Sequence, residues 1–161
     1  MPAEDSGASD DFMRRAIALA IHNVQSGGGP FGAVVVKDGR IVAEGANRVT
    51  VDNDPTAHAE VVAIRAACQA LGTFQLDGCD LYTSCEPCPM CLGAIYWARP
   101  GRVFYGGSAA DAAAAGFDDA FIYDELKRGS DTRRIPMTQL LREEALTTFD
   151  AWKQQENKRR Y

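Results

Sequence analysis

The sequence predicts a three-layer α/β/α fold, with helices covering both faces of a central mixed five-stranded sheet. Three observations lead there. Segments of helical periodicity alternate with short β-branched runs, the pattern of strands joined by covering helices. Asp38-Gly39 separates two such runs and marks a tight hairpin. No internal repeat and no dividing linker interrupts the 161 residues, so a single domain over 1–161 is expected.

Each element has its own signal. Residues 1–10 are acidic and polar with no apolar core, so they read as a disordered tail and not as a secretory signal. A helix is expected over 11–25, where Phe12, Met13, Ala16, Ile17, Ala20, Ile21 and Val24 share a stripe. Ser26-Gly27-Gly28-Gly29-Pro30 ends it. Strands follow over 33–37 and 41–46, then a loop at Asp52-Asn53-Asp54-Pro55. Pro55-Thr56 opens a helix over about 57–71. A strand at 81–84, a helix at 88–98 stopped before Pro100-Gly101, and a strand at 102–106 come next. Beyond them, 109–115 and 118–126 read as helical, 135–141 as the fifth strand, and 148–160 as a closing helix.

Composition narrows the function. Hydrophobic residues make up 46% and charged residues 24%, ordinary globular usage. No apolar run approaches the roughly 20 residues of a membrane span. The net charge of -5 disfavours long phosphate backbones, whose binding needs clustered Lys and Arg. The one basic cluster, Lys158, Arg159 and Arg160, reads as a solvated end. A small-molecule substrate is therefore expected, with no nucleic-acid and no membrane partner. Of the five cysteines, Cys85, Cys88 and Cys91 fall within seven residues. That is too close for a disulfide framework and points to metal or redox chemistry in a reducing cytoplasm.

His58-Ala59-Glu60 opens one expected helix, and Pro87-Cys88-Pro89-Met90-Cys91 opens another. Residues three apart on a helix share a face, so Cys88 and Cys91 can hold one ion. Unpaired N–H groups in a first helical turn favour the thiolates that zinc requires. Two thiolates and the His58 imidazole leave the fourth tetrahedral position open, as catalytic zinc needs. Glu60 is then placed to move protons to and from a zinc-activated water. Two other readings exist: a closed site that adds Cys85, and a redox C-x-x-C pair that leaves His58-Ala59-Glu60 without a role. Cys68 and Cys79 read as buried structural thiols, and His22 as a surface residue.

The two elements resemble the H-x-E and P-C-x-x-C signature of zinc nucleobase deaminases. Gly29-Pro30-Phe31-Gly32-Ala33, 53–60 and 83–91 are similar to the cytidine/deoxycytidylate deaminase superfamily. Within it, Leu92-Gly93-Ala94-Ile95-Tyr96-Trp97-Ala98-Arg99-Pro100 and Ala115-Gly116-Phe117-Asp118-Asp119 resemble bacterial guanine deaminases. The resemblance implies the cytidine-deaminase-like fold, one Zn2+ per subunit, and hydrolysis of guanine to xanthine and ammonia. It also implies that Asn47 hydrogen-bonds the base, that Phe31 and Trp97 pack against it, and that Ala59 offers backbone contacts. Asp119 would join Glu60 in catalysis by protonating the departing amine. Tyr161 would close the site of a neighbouring subunit in a homodimer that exchanges C-terminal segments.

From the residues alone these positions have plainer readings: a helix cap at Asp118 or Asp119, a turn at Asn47, core packing at Phe31 and Trp97, and a frayed end at Tyr161. A guanosine deaminase shares the overall pattern. A tRNA adenosine deaminase, a cytosine or riboflavin-pathway deaminase, and a silent zinc-stabilised binding module are the remaining alternatives.

Overall fold

A computed structural model describes residues 6–161. Helix α1 spans Ser6–Gln25 and so starts earlier than the expected 11. Residues 6–10 of the expected tail are helical, while 1–5 lie outside the described residues. Strands β1 (Gly32–Lys37) and β2 (Arg40–Ala46) form the hairpin. Its turn residues Asp38 and Gly39 both have positive φ, 50° and 71°, as a type I′ turn demands. A short helix α2, Val49–Asp52, interrupts what reads from sequence as loop. Then come α3 (Ala59–Leu71), β3 (Cys79–Cys85), α4 (Pro89–Ala98) and β4 (Arg102–Gly107).

The sheet order is β2-β1-β3-β4. β1 runs antiparallel to both β2 and β3, and β4 runs parallel to β3, so the sheet is mixed as expected. Side chains alternate along the central strand β1. Ala33 and Val35 join Ala63, Ile64, Ala67, Leu81 and Ile95 in a core beneath α3 and α4. Val34, Val36 and Tyr82 face the other way, against Phe12, Met13 and Leu19 of α1. Both faces are therefore covered, which makes three layers.

Two glycines set the spacing of those layers. A Cβ on Gly32 would meet the backbone of Ala16 and Ala20, where α1 crosses β1. A Cβ on Gly45 would stand 2.5 Å from the Ala59 carbonyl oxygen and 2.6 Å from the Ala63 nitrogen, where α3 crosses β2. Only a residue without a Cβ lets each helix come down so far. The first turn of α3 is thereby seated directly on the sheet.

Contacts cluster into two compact units, Met1–Asp119 and Ala120–Tyr161. The first also holds α5 (Ala109–Ala114), which a Ser108–Asp111 capping box starts. The second holds α6 (Ala120–Lys127) and α7 (Arg142–Gln154). The expected fifth strand at 135–141 is irregular instead, leaving four strands among the described residues. Pro136 has no N–H for a ladder, Leu141 takes a left-handed φ of 49°, and Ile135 is 81% exposed. The last helix also begins and ends six residues before the expected 148–160. Glu143 and Glu144 favour its start by sitting at the positive end of the helix dipole. Lys158 Nζ reaches back to the carbonyls of Lys153 and Gln155 at its end. No helix among the described residues is long and apolar enough to cross a membrane.

Candidate active site

Two helix starts meet at the site. His58 is the N-cap of α3, in extended backbone conformation. An Asx turn leads into it: Thr56 donates both its N–H and its hydroxyl to Asp54 Oδ1, at 2.8 and 2.7 Å. Cys88 is the N-cap of α4, and its sulfur accepts from the Cys91 N–H at 3.5 Å. Pro89 follows at a position where the missing N–H costs nothing. His58 Nδ1 stands 3.5 Å from Cys88 Sγ and 3.4 Å from Cys91 Sγ, and the three ligand atoms lie within 4.8 Å of one another.

Those spacings fit zinc. Bonds of about 2.3 Å to sulfur and about 2.05 Å to nitrogen, at tetrahedral angles, put sulfur and nitrogen about 3.6 Å apart. The donor set, one imidazole and two cysteine sulfurs at helix starts, is the nitrogen and sulfur set that zinc prefers. Cys88 is drawn down to about 4, first by its hydrogen bond with Cys91 and then by His58. Cys91, paired with it and deeply buried, is pushed up. The two sulfurs thus hold a proton between them that a metal cation would displace. Hydrogen bonding to Cys88 raises His58. Cys85 also lines the cavity, but its sulfur is engaged with the Ser108 carbonyl at 3.8 Å. It is not part of the ligand group among the described residues, which counts against a closed four-ligand site.

Glu60 lies one step into α3, 6% exposed. One carboxyl oxygen accepts from Thr83 Oγ1 at 3.3 Å and the other meets Cys91 Sγ at 3.4 Å. Burial pushes its carboxyl up, which suits a group that must both take and release a proton. His58, Cys88 and Glu60 open onto a cavity of about 570 Å³, within the range of small-molecule sites. All of its lining residues belong to the first unit.

Phe31, Asn47 and Asp119 line this cavity, along with His58, Glu60 and Cys88. Asn47 Oδ1 accepts from the Val49 N–H at 3.2 Å, so its amide hydrogens remain for a ligand. Asp119 is held above the ordinary carboxyl range, first by burial and then by the Cys88 charge. Cys91 is fully buried and does not line the cavity. Ala59 sits wholly in the core and is not among the lining residues. Trp97, 63% exposed on α4, and Tyr161, in the second unit, are likewise outside the lining.

Several contributors escape a sequence reading. Phe117 stands edge-on to Phe31, with ring centroids 5.0 Å apart at 85°, and Gly116 before it has a φ of 95° that signals the sharp bend. Thr83 and Glu86 carried no legible signal, since each acts on residues brought near only by folding. Glu86 accepts from the Ala109 N–H at 2.8 Å and, with Asp118, gives the cavity wall four carboxylates, against no Lys or Arg among the described lining residues.

Residues 7–107 match the family described as the cytidine and deoxycytidylate deaminase zinc-binding region. The chain is similar to the guanine deaminase of Bacillus subtilis (strain 168), 60% identical over 153 residues that cover 94% of this chain and 98% of that one. The X-ray structure of the guanine deaminase from Bacillus subtilis matches with a TM-score of 0.92. A structure of the guanine deaminase from Nitrosomonas europaea matches less fully, at 36% identity and a TM-score of 0.65, covering 67% of this chain and 63% of that one. Similarity to the tRNA-specific adenosine deaminase of Agrobacterium fabrum reaches 48% but covers only 59% of this chain and 62% of that protein. With the ligand geometry of His58, Cys88 and Cys91 and a matched segment of well over half its length, the chain belongs to the cytidine and deoxycytidylate deaminase zinc-binding family.

Proposed function

We infer that this chain hydrolyses guanine to xanthine and ammonia, as a zinc-dependent aminohydrolase of purine catabolism and salvage. One observation carries the reading: the likeness to the Bacillus subtilis guanine deaminase runs over 94% of the chain and so includes the stretch beyond the shared metal motif. Bound by His58, Cys88 and Cys91, zinc supplies a Lewis acid that brings the pKa of water to about 7.

The residues of the chain then divide the remaining work. Guanine enters over the face of Phe31, which Phe117 braces edge-on, and the Asn47 amide donates to the acceptors on its edge. Glu60 takes a proton from water as the oxygen attacks C2, and passes that proton to ring N3. The second proton of the same water goes to the C2 amine from Asp119 or Glu60. The C2–N bond then breaks, ammonia leaves and C2 keeps the oxygen as a carbonyl. Asp119 is suited to donate because its environment favours the protonated form.

The working form is a homodimer with exchanged C-terminal segments. Supporting this, none of residues 120–161 is buried within the chain, and Leu126, Leu140 and Leu141 are 61%, 77% and 69% exposed. Apolar surface on that scale asks for a partner. Tyr161 and Trp97 act in this form, Tyr161 on the neighbour's pocket and Trp97 from its exposed place on α4. The whole chain folds as one deaminase domain once exchanged. The five free cysteines suit a reducing cytoplasm.

Ammonia release from guanine, guanosine, adenine and cytosine, each offered to zinc-loaded protein, tests the substrate. Release from guanine alone, lost in Glu60→Ala without loss of zinc, is the expected result. Preference for guanosine would overturn the substrate assignment, and an active Glu60→Ala would remove Glu60 from the chemistry.

A further inference from the structure

We propose that Asn23, near the end of α1 and outside the cavity lining, is the positioning residue that sets the base-reading edge of the pocket. The inference rests on Asn47 binding the base. Asn23 spends both amide hydrogens on backbone carbonyls of the pocket wall. Its Nδ2 donates to Gly29 O and to Asn47 O, each at 2.8 Å. Its backbone carbonyl accepts from the Gly28 N–H at 2.8 Å. One residue thus clasps the glycine loop at 27–29 to the segment that carries Asn47, 24 positions further along the chain.

The clasp reaches both groups that would hold a base. Gly29 O also accepts from the Phe31 N–H at 2.9 Å, and Phe31 O accepts from the Asn47 N–H at 3.1 Å. Phe31 and Asn47 are therefore tied to each other and, through two carbonyls, to the same carboxamide. The loop is shaped around it. A Cβ on Gly28 would fall on the Asn23 carboxamide, and one on Gly29 would crowd the Asn47 side chain at 3.2 Å. Glycine at both places lets the loop close on Asn23 and lets Asn47 lie against the loop.

A primary amide suits that place. Two carbonyls within 2.8 Å of one atom need two hydrogens from it, and a primary amide nitrogen supplies them without charge. Aspartate has the same shape but would set a carboxylate against two carbonyl oxygens. Asn23 touches neither the metal ligands nor Glu60, so its loss should act on base binding and leave proton transfer alone.

Asn23→Asp and Asn23→Ala are compared in the full-length, zinc-loaded protein, with rates expressed per bound zinc. The expected result is a roughly tenfold or greater fall in kcat/KM for guanine, carried mostly by KM, with zinc content and the pH profile of kcat unchanged. Asn23→Ala placed on Asn47→Ala should cost less than the product of the two single effects, because part of what Asn23 does is to hold Asn47. A loss confined to kcat, or independent costs that multiply in the double variant, would overturn the inference about Asn23 while leaving Asn47 its role. If Asn47→Ala itself leaves kcat/KM unchanged, the role of Asn47 and the inference fall together. Normalising to bound zinc separates misfolded protein from mispositioned side chains, and the isosteric Asn23→Asp guards against a cavity effect in Asn23→Ala.

Discussion

Gly45 stands in β2 and supplies no ligand, yet substituting it should damage the metal site. Its added Cβ would lie 2.5 Å from Ala59 O, whereas ordinary contact begins at 3.4 Å. Relief requires 3.4 − 2.5 = 0.9 Å of movement. The obstacle is helix backbone on one side and a paired strand on the other, Gly45 being opposite Ala33, so no flexible side chain can absorb it. The part of α3 that must lift is its first turn, which bears His58 and Glu60. Cys88 and Cys91 belong to α4 and would stay behind. Overpacking of this kind costs about 1–3 kcal/mol of stability, and a displacement near 1 Å at a reacting group costs about 10²-fold in rate. Gly45→Ala is therefore expected to lower Tm by several degrees, to weaken zinc retention, and to reduce kcat/KM for guanine by about two orders of magnitude. Thermal unfolding, zinc competition with a chromogenic chelator, and steady-state kinetics give the three readings. A variant with reduced Tm but unaltered zinc affinity and kcat/KM would refute the argument, because it would mean that the lift of α3 does not reach its ligand.

Two further outcomes follow from the site itself. Asp119→Ala should reduce kcat for guanine by about 10²–10⁴ with little change in Tm, since the side chain is only partly buried; unchanged kcat/KM would exclude it from the proton path. Zinc affinity should rise with pH: Cys91, pushed up by Cys88 and by burial, keeps its proton at neutral pH, while Cys88 at about 4 has already lost its own. Loading should thus release about one proton per ion, more where the raised His58 is still protonated, and apparent affinity should fall about tenfold or more for each pH unit lost. Calorimetric titration in buffers of differing ionisation enthalpy measures this, and proton release near zero would contradict it.

The parts of the site that sequence makes legible are those whose chemistry is local. A histidine and a glutamate two apart, and two cysteines three apart behind a proline, carry their geometry in their spacing, because each pair occupies one helix start. The Asp38-Gly39 turn is similar, since two positive φ values in succession ask for those residues. Asn23 shows the opposite case. In sequence it is a polar residue near a helix end, and its value comes from a carbonyl 24 residues away. Thr83 is hidden for the same reason, since Glu60 is 23 residues distant. The expected strand at 135–141 has the apolar content of a strand but a proline and a left-handed Leu141 within it, and pairing depends on a neighbour that periodicity cannot reveal. The early start of α1 was masked by its polar first turns, where residues at the molecular edge give no stripe to read.

His58 and Cys88 each begin a helix and each would bind the metal, so the ion would join two chain segments 30 residues apart at the point where both helices start. In the unfolded chain the ligands are scattered, so the ion binds the folded state preferentially and its occupancy adds to the stability of the fold. Zinc supply then governs how long the protein lasts as well as how fast it works. In a zinc-starved cell the empty chain would open more often at α3 and α4, spend more time exposed to proteases, and be cleared. The amount of enzyme would follow the metal without any dedicated sensor.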